Sequence, residues 1–349
     1  MIKTIREIKV SQKRALMRAD FNVGLDEEGK VSEDFRIRAA LATINYLKEK
    51  GARIILMSHL DDPAGAVVEN LRLNPVLEKL RELLPGIKII KADDCVGQAV
   101  KDLAFNLKPG EILLLENLRF HKGEEENEED FARELADLAE VYINDAFGVC
   151  HRNHASVVSV PKYLPKAMGL LLEKEIEVLS QLLENPAKPL LVIIGGKKVE
   201  TKTKLINNLC RVADWVLVNN LITRELEEKK IALSFPEKII KPVDAARGNF
   251  DIGPETINLF KEKISHARTI FWNGPLGKFE EEEFSRGTRA IGQAIIDSMA
   301  FSVVGGGATA EAINKFGFSN RFNHLSTGGG VILAFLSGEE LPGIKALEE

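Results

Sequence analysis

"RIILMSHLDDPAG", residues 53–65, runs from an apolar stretch straight into a histidine, two aspartates and a proline. Continuous apolar runs of this length suit strands buried on both faces, and the polar residues that follow then lie where such a strand opens onto a loop. The same transition recurs in "RALMRADF", "EILLLENL", "EVYINDA", "PLLVIIGG", "ADWVLVNNL", "RTIFWNG" and "FSVVGGG". Between these runs lie segments of helical period, such as "RIRAALATINYLKEKG" and "EEDFARELADLAE". Strand and helix in alternation predict an α/β protein whose parallel sheets carry helices on both faces.

The chain has 349 residues. Single cores stop growing near ~250 to 300 residues, so two domains are expected, with a cleft between them. The joint is expected near residues 160–185, where "PKYLPKAMGLLLEKEIEVLSQLLENPAKP" sets prolines at both ends of a long amphipathic helix. With 45% hydrophobic and 28% charged residues the chain reads as a soluble globular protein. A net charge of −5 argues against a nucleic-acid or anionic-membrane surface, while leaving room for a few focused cations to bind a small anion. Cys95, Cys150 and Cys210 show no CxxC spacing, which speaks for a reducing cytoplasm rather than a disulfide scaffold. The N-terminus "MIKTIREIKV" lacks the apolar core of a signal peptide, and no apolar run reaches the ~20 residues that span a bilayer.

Open α/β sheets bind ligands outside the carboxyl ends of their strands. That rule selects two groups of residues. In the first half, Arg18, Arg36, Arg119 and Arg152 sit near strand ends or loops that also carry His59, His121, His151 and His154. Each arginine taken alone reads as a surface ion pair; repeated at strand ends, their planar forks fit a small carboxylate or phosphate. The histidines lack the spacing of a zinc site. Asp20 and Asn22 flank Phe21 and share a face in extended chain, as a hydroxyl-binding pair or as a turn after the strand. The acidic run "EEENEED" (124–130) reads as a solvated helix start.

In the second half, "LVIIGGKKVETKTKLINNL" is a strand, a glycine pair and a helix whose Lys198 and Lys202 share one face. It is not a Walker A loop. "SVVGGGATAEAI" sets Gly305, Gly306 and Gly307 between a strand and a helix, and "LSTGGGVIL" repeats the pattern through Gly328, Gly329 and Gly330. One such turn is explained as well by close packing; two beside paired lysines point to phosphoryl transfer.

Taken together, "MRADFNV", "DFRIRAALATINYL", "MSHL", "LLENLRFHKGEEEN", "YINDAFGVCHRNHAS", "IIGGKKVETK", "DIGPETI", "WNGPLGKFE", "GGGATA" and "STGGG" resemble phosphoglycerate kinase, in order and over nearly the whole chain. The resemblance implies two Rossmann-like parallel-sheet domains joined by a hinge helix: a phosphoglycerate domain over 1–160, a hinge over 161–186 and a nucleotide domain over 187–334. It also implies a tail from about 335 to 349 that packs back on the first domain. It implies reversible transfer of a phosphoryl group between 1,3-bisphosphoglycerate and ADP, giving 3-phosphoglycerate and ATP, with Mg²⁺ accompanying ATP/ADP, in a cytoplasmic monomer without nucleic-acid or membrane partners. By motif match, Arg18, Asp20, Asn22, Arg36, His59, Arg119 and Arg152 would bind phosphoglycerate. Lys198, Lys202, Asn273, Glu280, Gly305, Gly306, Gly307 and Thr309 would bind nucleotide, and Arg36, Lys202, Gly306 and Gly329 would stabilise the transferring group.

The chain departs from the pattern at ligand-binding elements. The family's S-H-L-G-R-P reads Ser58, His59, Leu60, Asp61, Asp62, Pro63 here, so an arginine is replaced by Asp62. Ala308 stands where the family has an aspartate that engages the metal, which leaves Mg²⁺ to the nucleotide phosphates and water, with Thr309 as a further candidate. "VNNLIT" (218–223) replaces a glycine-rich segment, and "IIKPVDAARGNFDIGP" is short. These changes keep two other readings open: a weakened or inactive homologue that binds nucleotide or a phosphorylated metabolite, and a kinase for another carboxylate.

Overall fold

The computed structural model describes residues 2–196 and 199–348, and its strands are the apolar runs of the sequence. β1 (Arg14–Arg18) and β2 (Arg53–Met57) pair in parallel from Arg14 opposite Arg53 to Arg18 opposite Met57. With β3 (Ile89–Lys91), β4 (Ile112–Leu114), β5 (Val141–Asn144) and β6 (Lys166–Met168) they form a parallel sheet in the order β3-β4-β2-β1-β5-β6. The second sheet contains β7 (Leu190–Ile194), β8 (Trp215–Val218), β9 (Ile239–Ile240), β10 (Thr269–Asn273), β11 (Phe301–Gly305) and β12 (His324–Leu325), in the order β12-β11-β10-β7-β8-β9. Both sheets are doubly wound. In each, the chain leaves a central strand to one side and returns to its other side, so the crevices open at the carboxyl ends of β1 and β5 and of β7 and β10.

The chain divides into two compact units, Met1–Glu175 with Glu340–Glu349, and Ile176–Glu339. The first runs past residue 160, because β6 extends its sheet by pairing with β5 at Tyr142 and Lys166. The change of unit falls inside the helix Leu170–Glu184. Asp145, next after β5, accepts hydrogen bonds from the backbone N–H groups of Leu171 and Leu172, satisfying donors that the helix start leaves open. The returning tail begins at Glu340 rather than 335, and Gly343 fastens it by donating to the carbonyl of Cys150 at 2.8 Å.

Each core forms where the buried strand faces meet helical stripes. In the first unit Met17, Ile54, Leu56 and Ile143 pack with Ile37, Ile44 and Leu47 of the helix Phe35–Glu49. In the second, Leu191, Ile193, Ile270 and Trp272 pack with Phe260 and Ile264 of the helix Pro254–His266 and with Ile291 and Ile295 of the helix Arg286–Asp297. Burying each such side chain stabilises the unit by about 1.5–3 kcal/mol. The acidic run does not behave as a wholly solvated helix start: Glu129 and Asp130 open the helix Glu129–Ala136, but Glu124 is 0% exposed.

Removing most of one central side chain leaves a cavity that β7, enclosed on both sides, cannot collapse. Ile193→Ala is expected to cost about 2–5 kcal/mol, read as a lower urea midpoint for the second unit in denaturant unfolding.

Candidate functional site

In the first unit, Arg18 ends β1 and is 0% exposed. Its Nε donates to Ser156 Oγ at 2.8 Å, its Nη1 donates to the Ala19 carbonyl, and its Nη2 lies 3.3 Å from His59 Nδ1. Beneath it, Glu124 accepts from the Ser156 hydroxyl at 2.6 Å and the Ser156 N–H at 2.9 Å, and sits 3.9 Å from the guanidinium. A buried cation is tolerable when a carboxylate and hydrogen bonds compensate for lost water, and Glu124 supplies that compensation. Sequence reading passed over both Glu124 and Ser156, since a glutamate inside an acidic run carries no sign of burial.

Arg36, on the helix Phe35–Glu49, donates to the Asn22 carbonyl and places Nε 3.7 Å from Asp20. Asn22 Oδ1 accepts from the N–H of Asp61 at 2.8 Å, and Arg119 Nη1 donates to the Asp61 carbonyl at 2.8 Å. Both predicted binding residues therefore also hold the loop after β2 in place. Arg152 is exposed and close enough to Arg119 and His154 to act on both electrostatically. His59 and His154 belong to this cluster. Burial, then the neighbouring arginines, holds His59 well below the ordinary imidazole value and pushes His154 down to about 4. Glu124 lies 3.9 Å from His154 Nδ1, but the arginines and burial outweigh it. His121 turns away, toward Asp94 at 2.6 Å and the ring of Phe131.

In the second unit, a pocket of about 620 Å³ opens at the carboxyl ends of β7, β10 and β11. Lys202, on the helix Val199–Cys210, is buried in its wall, donates to the Gly195 carbonyl, and has its ammonium pKa lowered by burial to about 8. Lys198 lies outside the described residues. Asn273 donates to the Gly305 carbonyl at 2.9 Å, and Thr309 Oγ1 accepts from the Gly274 N–H at 2.7 Å. These two side chains join β10 to the turn after β11. Gly306 holds φ at +103°, and a Cβ there would come within 2.7 Å of Asn273 Nδ2. That turn brings the start of the helix Gly307–Lys315 to the pocket, with Gly329 and Gly330 also in the wall. Open backbone N–H groups and the helix dipole favour phosphate there.

Glu280 is exposed at the rim and is the one carboxylate among the described residues lining the pocket. Ala308 lines it without a side-chain oxygen, and the Thr309 hydroxyl is already engaged. A protein-held Mg²⁺ needs oxygen ligands from side chains, so Ala308 and the engaged Thr309 at this turn do not fit one. Sequence reading also missed Phe250, 51% exposed and in the pocket wall, whose carbonyl accepts from the Lys278 N–H at 2.8 Å. An aromatic residue just before "DIGP" was the available signal.

Two doubly wound units, one with arginines converging at its strand ends and the other with a lysine and glycine turns around a pocket, define a two-domain α/β phosphotransferase. The phosphoglycerate kinase family profile matches residues 5–230 and 223–339, and the chain belongs to that family. The chain is similar to phosphoglycerate kinases of Pelotomaculum thermopropionicum and Moorella thermoacetica, each 43% identical, over 99% of this chain and 98% and 99% of the relatives. Among solved structures it is similar to phosphoglycerate kinase from Coxiella burnetii, with TM-score 0.84 and 34% identity, covering 99% of both chains. It is also similar to the enzyme from Pyrococcus horikoshii OT3, with TM-score 0.87 and 32% identity over 99% of this chain and 98% of that one. The alignments to the first two relatives run over 389 and 390 positions against a chain of 349, so some forty positions of those relatives have no counterpart here.

Because folding holds His154 neutral, the unfolded chain takes up its proton first. Its contribution to stability is complete above the ordinary imidazole value of 6.5 and is lost as pH falls from there toward about 4. An NMR titration of the histidine rings should find His154 still neutral at pH 5.5, and His154→Gln should flatten the acid limb of stability in that window.

Proposed function

We propose that the protein catalyses phosphoryl transfer between 1,3-bisphosphoglycerate and ADP, giving 3-phosphoglycerate and ATP, with phosphoglycerate on the first unit and nucleotide on the second. The observation that carries this reading is the pairing of two differently built anion sites at the strand ends of two parallel sheets. One is made of arginine forks around Arg18, Arg36 and Arg119; the other is made of Lys202 and backbone turns at Gly306 and Gly329.

In the direction of ATP use, a carboxylate oxygen of 3-phosphoglycerate forms a bond to the γ-phosphorus. The bond from that phosphorus to the β–γ bridging oxygen breaks, and ADP leaves with the electron pair. The carboxylate is already ionised at neutral pH, so no protein base is required, and catalysis consists of positioning and charge stabilisation. Arg18, Arg36, Arg119, Arg152, His59, Asp20 and Asn22 hold and orient phosphoglycerate. Lys202 meets the transferring phosphoryl oxygens, while Gly305, Gly306, Gly307 and Gly329 offer backbone N–H groups. Asn273 and Thr309 shape the floor of the site, Glu280 meets the ribose hydroxyls, and Phe250 lies against the base. Divalent metal would accompany the nucleotide phosphates. The protein acts as a cytoplasmic monomer; among the described residues no helix is long and apolar enough to cross a membrane, and the three cysteines are free and buried.

A coupled assay with 3-phosphoglycerate, MgATP and a reductive trap for the acyl phosphate should show turnover in the wild type. Lys202→Ala should lose at least about 100-fold in kcat, the scale on which one charge stabiliser acts. Wild-type protein as inactive as Lys202→Ala, yet binding ADP in calorimetry, would instead identify a non-catalytic homologue. Since Lys202 is partly neutral above pH 8 and gains its proton beside phosphate, ADP binding at pH 9 should take up a proton, absent at pH 6 and absent in Lys202→Arg. Calorimetry in buffers of different ionisation enthalpy measures that uptake.

A further inference from the structure

The loop after β2 carries Asp61 and Asp62, both exposed, beside a site that depends on positive charge. Asp62 is close enough to Arg119 to act on it electrostatically. Acidic groups crowd the other arginines too: Glu125 Oε1 is 3.2 Å from Arg119 Nε, Asp20 is 3.7 Å from Arg36, and Glu124 underlies Arg18. Compensated in this way, the cluster has little excess charge to offer a phosphate dianion.

A further cation is held against the same loop. Gly65 has φ at +75°, and a Cβ on it would come within 2.2 Å of Lys122 Cγ and within 3.2 Å of Lys122 Cα and Cβ. The Lys122 stem therefore lies flat on Gly65, whose N–H donates to the Arg119 carbonyl at 3.2 Å. In the same loop Asp61, at φ +53°, and Ala64, at φ +55°, also take left-handed conformations that L residues seldom adopt. The side chain of Lys122 is exposed, and its ammonium has no hydrogen bond or ion pair to a described residue. Its neighbour His121 is turned to Asp94, so the two side chains are committed to different surroundings. A long cation whose stem is pinned by a glycine contact, with its ammonium unpaired among the described residues and its backbone three residues from Arg119, is held against the loop that carries Asp62.

We propose that Lys122 is a substrate-binding residue, giving its ammonium to the phosphate of phosphoglycerate and offsetting the negative charge of Asp62. The proposal rests on the kinase reading given above and adds a residue and an interaction to it. It also gives Gly65 a role: any side chain there displaces the lysine stem.

The test is calorimetric titration of the full-length protein with 3-phosphoglycerate, together with steady-state kinetics. Lys122→Ala should weaken 3-phosphoglycerate binding roughly tenfold or more, the scale of one charge-assisted contact, and raise KM for it alike, leaving KM for MgATP unmoved. Lys122→Arg should retain most of the affinity. In the Lys122→Ala background, Asp62→Asn should recover part of the loss, and Asp62→Arg more of it. Circular dichroism and the urea midpoint of each variant separate a binding defect from a folding defect. Wild-type binding with Lys122→Ala within twofold of it would overturn the proposal alone. Absence of 3-phosphoglycerate binding in the wild type would overturn the kinase reading and this proposal with it.

Discussion

Arginines gathered at one strand end repel one another, and the buried carboxylate of Glu124 is the constraint that makes their gathering tolerable. Its two oxygens are taken by the Ser156 hydroxyl and N–H, and Ser156 in turn receives Arg18. Arg18 closes β1, the strand on which the first sheet switches direction, so the compensation sits at the centre of the crevice rather than at its edge. With Arg18 fixed, burial and then the neighbouring arginines keep His59 and His154 neutral beside it. Removing Glu124 would leave a fully buried guanidinium with hydrogen bonds but without a countercharge, the costly case among buried ion pairs.

The second unit is built by different means. Its pocket is walled largely by glycine turns and backbone, with one buried lysine and one rim carboxylate. Backbone N–H groups cannot be titrated and do not repel one another as full charges do, so this site needs no buried anion beneath it. That arrangement has a consequence for metal. Ala308 in the wall brings no side-chain oxygen and the Thr309 hydroxyl is bound to Gly274, so neither of these two described residues adds a free side-chain ligand to those of the nucleotide. Lys202, its ammonium pKa lowered by burial and with no carboxylate at bonding distance among the described residues, is correspondingly open to an anionic ligand.

Much of this was legible in the sequence, for reasons that are physical. Strands buried on both faces must be continuously apolar, so "PLLVIIGG" and "RTIFWNG" marked β7 and β10 and also the loops where a ligand would lie. The parallel pattern gave the architecture, and the ordered motifs gave the family that the profile match shows. What stayed hidden depended on contacts between distant parts of the chain. Glu124 looks like one acid among many until Ser156, thirty-two residues on, folds over it. β6 was assigned to the hinge because "KAM" is too short to read as a strand without β5 beside it. The stem of Lys122 against Gly65 has no local signature, since a glycine fifty-seven positions earlier does not announce what packs on it.

On the proposed function, the arginine cluster of the first unit receives phosphoglycerate while the glycine-walled pocket of the second receives nucleotide. Histidine ring NMR tests it directly, because of the six histidines His59, His151 and His154 lie at or beside the arginines, and none lines the pocket. Titration with 3-phosphoglycerate should shift the rings of His59 and His154, and saturating ADP alone should leave both where they were. Rings that move with ADP, or that stay fixed while calorimetry shows 3-phosphoglycerate bound, would contradict the assignment of the two sites.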